Sequence, residues 1–509
     1  MIADRAERRV QSNLSERGPY LAKRKQSTFE RLTNGKLNRK QRKELGRRLY
    51  SDNPGLEIVH PNAAGIDVGN ESHFVAVAPG CDPQPVREFG CWTAALLELA
   101  DWLKSLGIKH VVMQSTGVYW IALYEVLEKR GFQVCLSNAR DTKNLPGRKT
   151  DVQESQWLLK LHTYGLLRNS FRPPEQIRSL RTIWRLRNRH VEDAGREIQH
   201  MQKAMTTMNV QLANVISDVS GVTGLAIIRA IVEGERDPYK LAQLKNYRIR
   251  ASQEEIARSL EGTWQDDVLF ELQQAVERYD FCHRQIAECD RKLQKYLADL
   301  PSRSIAQTLE ATPESCGGGN ETQKKKKRKS SKAVPTPRKN EPKFDLQAEL
   351  TRICGVNLAA IDGVKVMTIQ TWVAELGVDM TPWPDEDHLV SWLKLAPRKP
   401  ISGGKVVKQE RIKVKNRVAE ALRMAASTLH ESDSYLGARY RYLRARRGEG
   451  KAVKAMAAHL ARLIYRMLTR GKAWVDRGAE EYQQRRAQRE FQSLERKAAA
   501  RGLRLVPAA

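Results

Sequence analysis

The stretch Gly65-Ile66-Asp67-Val68-Gly69 decides the fold of the first folded domain. A short polar turn follows it, and then comes the apolar run Phe74-Val75-Ala76-Val77-Ala78. Two short apolar runs that flank a turn predict a β-hairpin. The first strand of this hairpin carries an acidic side chain, Asp67, close to its end.

Strands and helices alternate after the hairpin. The pattern predicts a helix at 93–106, a strand at 109–113, a helix at 120–130 and a strand at 133–136. Alternation at this pitch indicates an α/β domain whose sheet is largely covered by helices. In the turn that comes next, Thr150 can cap a helix that runs through Trp157, Leu158 and Leu161.

The composition indicates a partner made of nucleic acid. A chain of 509 residues has room for about two to four domains. It holds 88 Lys plus Arg against 59 Asp plus Glu, which gives a net charge of +29. Cations that neutralise phosphates release counterions, and this release favours binding to DNA or RNA. A ribosomal-type protein, or one that is merely soluble and basic, is the alternative.

Neither a membrane nor a secreted location is expected. No apolar run reaches the ~18 residues that a membrane helix needs, and the Arg-rich start lacks the apolar segment of a signal peptide. The seven cysteines are odd in number and widely spaced, which favours a reduced cytosol and a cytoplasmic, nucleoid-associated location. Cys282, His283 and Cys289 do not predict a zinc site, because both cysteines fall on an apolar helical seam.

Two long seams predict a coiled coil in the middle of the chain. The first seam has apolar residues at alternating three- and four-residue steps and is broken only by Arg187. Its members are Ile177, Leu180, Trp184, Val191, Ala194, Ile198, Met201, Met205, Met208, Leu212 and Val215. The second seam is unbroken and consists of Val268, Leu272, Ala275, Tyr279, Cys282, Ile286, Cys289, Leu293, Tyr296 and Leu300. Such heptads form either an antiparallel hairpin within one chain or a contact between chains, which would make a homodimer or homotetramer.

The remaining segments differ in their capacity to pack. Residues up to about 55 have few apolar positions and are expected to bury no core, as a mobile or RNA-ordered arm. The Gly- and Lys-rich stretch 316–342 predicts a flexible basic linker, and the all-helical domain after it has a helix-hairpin-helix-like element at 361–364. The predicted boundaries are 1–58 for the arm, 59–172 for the α/β domain, 173–305 for the coiled coil, 306–347 for the linker, 348–472 for the helical domain and 473–509 for a charged tail of doubtful order.

Three acids and one amide outline a metal site. Asp67 lies on the first strand, Gln114 ends a buried strand, and Asp151 and Glu154 are three residues apart at a helix start, which places both on one face. Converging carboxylates repel one another unless a cation lies between them, and Mg²⁺ prefers such oxygen ligands. Taken singly, Asp67 is also explained as a turn acid, and the other two acids as charges that complement the helix dipole.

Four motifs in order resemble the DEDD-type insertion-sequence transposases. The motifs are Gly65-Ile66-Asp67-Val68-Gly69, Ser115-Thr116-Gly117-Val118-Tyr119-Trp120, Gly147-Arg148-Lys149-Thr150-Asp151 and Ser402-Gly403-Gly404. The resemblance runs from about residue 60 to 470. It implies an α/β domain of the RuvC-like (RNase H) fold, joined through the coiled coil to a carboxyl-terminal domain with a serine nucleophile, and in some members guidance by a bridge RNA.

The resemblance also implies roles for individual residues. The acidic tetrad maps to Asp67, Gln114, Asp151 and Glu154 as ligands of Mg²⁺, and the nucleophile maps to Ser402. The basic residues expected at the DNA or guide RNA are Arg148, Lys149, Arg398, Lys399, Lys405, Lys413, Lys415 and Arg417. Together these roles predict a recombinase that exchanges DNA strands through a phosphoserine link.

Two positions depart from the D-E-D-D pattern. Glu154 is longer than Asp but keeps a carboxylate, whereas Gln114 offers an oxygen without formal charge and a NH₂ group that needs an acceptor. We therefore expect weaker metal binding. The alternatives are a RuvC-like metal-dependent nuclease in which Ser402 is structural, an inactive nucleic-acid-binding derivative, and a sugar-kinase or actin-like ATPase. The ATPase is disfavoured, because no second Gly-rich phosphate loop follows.

Overall fold

The computed structural model divides the chain into two compact units, Met1–Arg172 and Pro173–Ala509. The structure describes residues 44–45, 47–49, 54–115, 117–138, 150–303, 340–397, 401–402, 405–406, 416–471 and 478–504, with only the backbone of 401–402 and 405–406. Among these residues, no helix is both long enough and apolar enough to span a membrane.

A five-stranded mixed sheet forms the centre of the first unit. Its strands are β1 (Ala63–Val68), β2 (Ser72–Val77), β3 (Val86–Gly90), β4 (His110–Gln114) and β5 (Gln133–Ser137). The order across the sheet is β3-β2-β1-β4-β5. The first three strands pair antiparallel, as the predicted hairpin requires, whereas β4 and β5 run parallel to β1. This mixed α/β sheet is consistent with a RuvC-like domain.

Helices cover both faces of this sheet. They are α1 (Thr93–Ser105), α2 (Trp120–Lys129) and α3 (Asp151–Thr163). Helices α1 and α2 pack on one face through residues such as Leu99 and Leu127, and α3 packs on the other through Leu158 and Leu161. Because side chains alternate along a strand, residues at every second position of β1, β4 and β5 point towards α3.

Gly65 lets α3 lie directly on β1. A Cβ atom at this position would stand 2.3 Å from both the Ser155 carbonyl oxygen and the Leu159 amide nitrogen, which are backbone atoms of α3. Any larger residue would push the helix outward. The glycine that opens the decisive stretch therefore sets the distance between Asp67, two residues further along the strand, and the start of α3.

The basic arm differs from the prediction at its end. Residues 44–45 and 47–49 are helical, and Leu45 and Leu49 belong to the same core cluster as Val112 and Trp157. Leu49 is fully buried, at 0% exposed. The expectation that residues up to about 55 bury no core was wrong here, because two leucines four residues apart on one helical face are enough to seal a core edge.

Two helices of 33 residues dominate the second unit. They are α4 (Glu175–Thr207) and α9 (Asp266–Ala298). Four short helices lie between them in the sequence: α5 (Leu212–Val215), α6 (Val222–Val232), α7 (Pro238–Gln243) and α8 (Gln253–Ser259). Ion pairs Arg187–Asp290, Glu197–Arg278 and Lys203–Glu271 connect α4 to α9. The partner number falls as the α4 number rises, so the two helices are antiparallel.

The predicted break in the first seam is a buried ion pair. Arg187 is 1% exposed, and its Nε donates to Asp290 Oδ1 at 2.5 Å while its Nη1 donates to the Asn340 carbonyl oxygen at 3.1 Å. The seam was also predicted to continue to Val215. The helix instead ends at Thr207, because Asn209 has a φ of +60° and turns the chain; the short helices that follow pack in one core cluster with α4 and α9.

The carboxyl-terminal part of this unit is helical. Its helices are α10 (Leu346–Cys354), α11 (Val366–Leu376), α12 (Glu386–Trp392), α13 (Arg417–Ser427), α14 (Tyr435–Arg447), α15 (Glu449–Arg470) and α16 (Gly478–Ala499). A two-residue ribbon is made by β6 (Ile401–Ser402) and β7 (Lys405–Val406). In the turn at 361–364, Gly363 has a φ of +80° and would place a Cβ 2.6 Å from the Ala425 carbonyl oxygen of α13.

The charged tail differs from the prediction. It forms α16, whose Tyr482 ring lies edge-on to Tyr435 at 5.1 Å and whose Arg486 guanidinium lies 4.2 Å from the centre of the Tyr442 ring. Aromatic and cation–π contacts of this kind dock a helix that has no buried residue of its own. Periodicity analysis misses such a helix, because it looks for an apolar stripe.

Candidate active site

Asp67 and Gln114 lie side by side at the carboxyl ends of the parallel strands β1 and β4, and this end of the sheet is called the acidic edge below. Ile66 and Met113 are paired in the parallel register of β1 and β4, and the two polar residues come directly after them. Both point towards α3, as their neighbours Gly65 and Val112 do. The carboxyl ends of parallel strands are where ligand sites form in open α/β sheets, and this edge carries the predicted polar pair.

Helix α3 brings two more acids to this edge. Its first turn contains Asp151 and Glu154, and Thr150 caps it by accepting a hydrogen bond from the Gln153 backbone N–H at 3.3 Å, as the sequence predicted. Gln114, which is 4% exposed, donates from Nε2 to Glu154 Oε1 at 2.5 Å. The amide NH₂ that was expected to need an acceptor finds it in a member of the same predicted tetrad.

The three carboxylates share one electrostatic environment. The pKa of Asp67 is raised to about 6, first by burial and then by the negative charges of Glu154 and Asp151. A carboxyl group in this state binds a proton more tightly than in water, because its negative charge is not compensated. A cation placed between the three carboxylates would remove this cost.

The donor set fits a divalent metal ion. Three carboxylates and one amide supply only oxygen ligands, which suits a hard ion such as Mg²⁺. The pKa of Asp67 is raised by burial and then by the two neighbouring carboxylates, and a bound cation would offset both effects. The same arrangement suits the hydrolysis or transfer of phosphoryl groups, where a metal ion neutralises charge on the phosphate.

Ser137 is a member of this edge that the sequence did not single out. It ends β5, is paired with Gln114 in the register, and is fully buried. Its Oγ has no hydrogen-bond partner among the residues that the structure describes. The sequence does contain a signal for Ser137, because it directly follows the apolar run of β5. Asp67 and Gln114 occupy the corresponding positions at the ends of β1 and β4.

The other predicted residues lie elsewhere in the chain. Ser402 is in β6 and pairs with Lys405 of β7, and Arg417 is the first residue of α13. The remaining predicted nucleic-acid contacts lie outside the described residues and are Arg148, Lys149, Arg398, Lys399, Lys413 and Lys415. The structure therefore brings together the tetrad but leaves the role of Ser402 and of the basic residues as predictions.

Two family models match this chain. Residues 64–210, which contain the whole tetrad, match the DEDD transposase model of the IS110 type. Residues 356–441, which contain Ser402, match the model described as transposase of the IS116/IS110/IS902 family. A search of the curated proteins gave no match. The chain therefore carries transposase domains of the IS110 family, and it is a DNA transposase or recombinase.

Proposed function

We propose that the protein exchanges DNA strands in a Mg²⁺-dependent reaction that passes through a covalent phosphoserine–DNA link at Ser402. The observation that supports this most is the acidic edge of the sheet, where Asp67 has a pKa of about 6 beside two further carboxylates. When bound there, Mg²⁺ supplies charge neutralisation at the scissile phosphate. Asp67, Asp151 and Glu154 hold and orient it, and Gln114 adds a neutral oxygen.

The serine chemistry follows in two steps. Ser402 Oγ loses its proton and forms a bond to phosphorus, and the phosphorus–oxygen bond to the deoxyribose breaks as the leaving oxygen takes up a proton. A hydroxyl group of the partner strand then attacks the same phosphorus and releases Ser402. No water is consumed, so the number of phosphodiester bonds is conserved. In this proposal the basic neighbours Arg398, Lys399 and Lys405 stabilise the negative charge of the phosphate.

We extend the proposal to a guide RNA and to self-association. The net charge of +29 supports a further nucleic-acid partner, and the predicted contacts lie both just before α3 in the sequence and around Ser402. The antiparallel pair of α4 and α9 supports the coiled-coil prediction, and in this proposal a second copy contacts its exposed residues, such as Arg196 and Glu288, in a dimer or tetramer.

A covalent trap tests the serine step. Wild-type protein incubated with labelled DNA from the ends of its insertion sequence should give a protein–DNA adduct that survives denaturing electrophoresis. Ser402→Ala should bind the DNA but give no adduct, whereas Ser391→Ala, an exposed serine of α12, should behave as wild type. Asp67→Ala should lose strand exchange as well. An adduct that persists in Ser402→Ala would refute the serine proposal.

A metal-dependent nuclease is the second candidate function. It is favoured by the fact that all four tetrad residues belong to the first unit. This alternative predicts that Ser402→Ala still cleaves DNA while Asp67→Ala does not.

The RNA proposal needs a separate experiment. The protein is purified together with its flanking DNA region, washed at high salt, and any nuclease-protected RNA is sequenced. One structured RNA encoded beside the gene supports guidance. Random cellular RNA would contradict it.

A further inference from the structure

Three histidines lie close together at the amino ends of the parallel strands β1 and β4, at the end of the sheet opposite the acidic edge. His60 precedes β1, His110 is the first residue of β4, and His162 lies in the last turn of α3. The nitrogen atoms that could bind a metal all lie within 4.8 Å of one another. The His60 ring is 4.4 Å from the His162 ring and 4.5 Å from the His110 ring, measured between centroids. The cluster is distant in sequence but compact in space.

Backbone hydrogen bonds hold the three residues in place. The amides of Val59 and His60 both donate to the Thr163 carbonyl oxygen, at 2.8 and 3.0 Å. The amide of His110 donates to the Asn62 carbonyl oxygen at 3.0 Å. The segment that enters β1 is thus joined to the end of α3 and to the start of β4, so the cluster does not depend on a flexible loop.

His162 is the most constrained member of the cluster. It is 5% exposed, and its Nε2 has no hydrogen-bond partner among the residues that the structure describes. The pKa of His162 is lowered to about 3, first by burial and then by the nearby His60 and His110. Burial, and then His110, also lower the pKa of His60. At neutral pH His162 is therefore uncharged, and a buried nitrogen without a partner calls for an explanation.

We propose that His60, His110 and His162 bind a divalent transition-metal ion of the zinc class, with a water molecule as the fourth ligand. Neutral imidazole nitrogens are the ligands that Zn²⁺ prefers, whereas Mg²⁺ prefers the oxygens at the acidic edge. Bonds of about 2.0–2.1 Å in a tetrahedral site place the nitrogens roughly 3.4 Å apart, so the stacked rings rotate inward when the ion binds.

The two edges are joined by α3 but are chemically distinct. Glu154 and His162 are eight residues apart on this helix, which is a rise of about 12 Å. An ion at the histidines would fix the end of α3 to the entry of β1, while the acids lie near its start. The inference is independent of the proposed strand exchange, since it concerns an ion at the far end of α3 from the acids and not the reaction at the acidic edge.

Metal binding to the full-length chain tests this proposal directly. The protein is stripped with a chelator, dialysed against Zn²⁺ in an excess of Mg²⁺, and bound zinc is measured by mass spectrometry. We expect one equivalent in the wild type and its loss in His60→Gln and in His110→Gln. Asp67→Asn and His200→Gln, the latter an exposed histidine of α4, should keep it. Replacement by Co²⁺ should give the visible absorption of a four-coordinate site in the wild type, in Asp67→Asn and in His200→Gln, but not in His60→Gln or His110→Gln.

Folding controls keep the test decisive. His60 is only half-buried, so His60→Gln should retain the wild-type circular dichroism. Thermal denaturation should show that Zn²⁺ raises the melting temperature of the wild type and of Asp67→Asn but not that of His60→Gln. The proposal is overturned if the chain binds no zinc in excess Mg²⁺, if both histidine variants keep it, or if Asp67→Asn loses it.

Discussion

Replacing Gln114 by glutamate restores the residue that the D-E-D-D pattern has at this position. In the wild type the buried Gln114 amide donates to Glu154 Oε1 at 2.5 Å. The Gln114→Glu variant loses this hydrogen bond, which for a charged acceptor contributes about 1.5–3 kcal/mol. It also places a second carboxylate against Glu154, beside an Asp67 whose pKa is already raised to about 6.

The repulsion can be estimated from the distance. Two unit charges about 4 Å apart interact by roughly 4 kcal/mol at an effective dielectric constant of 20. Without metal, the variant reduces this repulsion by holding one additional proton, so its free energy of unfolding at pH 8 should fall by about 2–4 kcal/mol. Mg²⁺ neutralises both carboxylates. If Mg²⁺ binding relieves about 1.4–2.8 kcal/mol of this repulsion, the dissociation constant of Mg²⁺ falls by roughly 10- to 100-fold in the variant.

Calorimetric titration with Mg²⁺ and denaturation with and without Mg²⁺ measure both effects. Gln156→Glu is the matched control, because it adds the same charge at an exposed position of α3 and should change neither quantity appreciably. Equal or weaker Mg²⁺ binding by Gln114→Glu would refute the reasoning, as would an unchanged stability of the metal-free variant.

The other predictions concern packing, titration and subunit organisation. Gly65→Ala should destabilise the first unit by about 1–3 kcal/mol or more and weaken Mg²⁺ binding, because its Cβ collides with the α3 backbone; Gly195→Ala, which has open space around it, should be neutral or stabilising in denaturation. Asp67 has a folded pKa of about 6 against an ordinary value of 3.8, so the folded state holds its proton more tightly and stability falls as pH rises from about 4 to about 6. Metal-free Asp67→Asn should therefore be more stable than the wild type by about 1–2 kcal/mol at pH 8, after allowance for partial exposure, and equal to it below pH 4; the opposite trend would contradict the raised pKa. Arg187→Ala should cost about 3–5 kcal/mol, because it leaves Asp290 buried without its ion pair, whereas Arg196→Ala at an exposed pair should cost less than ~1 kcal/mol. Mixing Ser402→Ala with Asp67→Ala protein should restore strand exchange if the serine and the acids act from different subunits, and failure at every ratio would assign both to one chain.

The sequence predicts the features that depend on local patterns. The hairpin, the alternation after it and the Thr150 cap follow from residue spacing or from a single side chain. Spacing also predicts the two long helices, but it leaves open whether they pair within one chain or between chains. The polar residues at the ends of β1 and β4 could also be located, because parallel strands bring their carboxyl ends to one edge. This argument covers Asp67 and Gln114, whereas Asp151 and Glu154 are predicted from their spacing at a helix start, and the family resemblance joins the four into one tetrad.

Features that depend on register or on close approach were beyond reach. His60, His110 and His162 are separated by about 50 residues at each step, and only the pairing of β1 with β4 and the docking of α3 bring them together. Likewise, the sequence does not show that the backbone of α3 packs against Gly65, or that Arg187 forms an ion pair with Asp290. To predict each of these contacts, one must know which segment, distant in sequence, packs against the residue in question.

The antiparallel pair of α4 and α9 has a mechanical consequence. Each helix has 33 residues, so the pair is a rod of about 50 Å at 1.5 Å per residue. That length equals roughly 15 base pairs of B-DNA at 3.4 Å each. The rod thus acts as a ruler between the core that α5 to α8 form with its tip and helices α10 and α11, which pack at its base. Inserting seven residues at matched positions in both helices would lengthen this ruler by about 10 Å without changing the faces in contact.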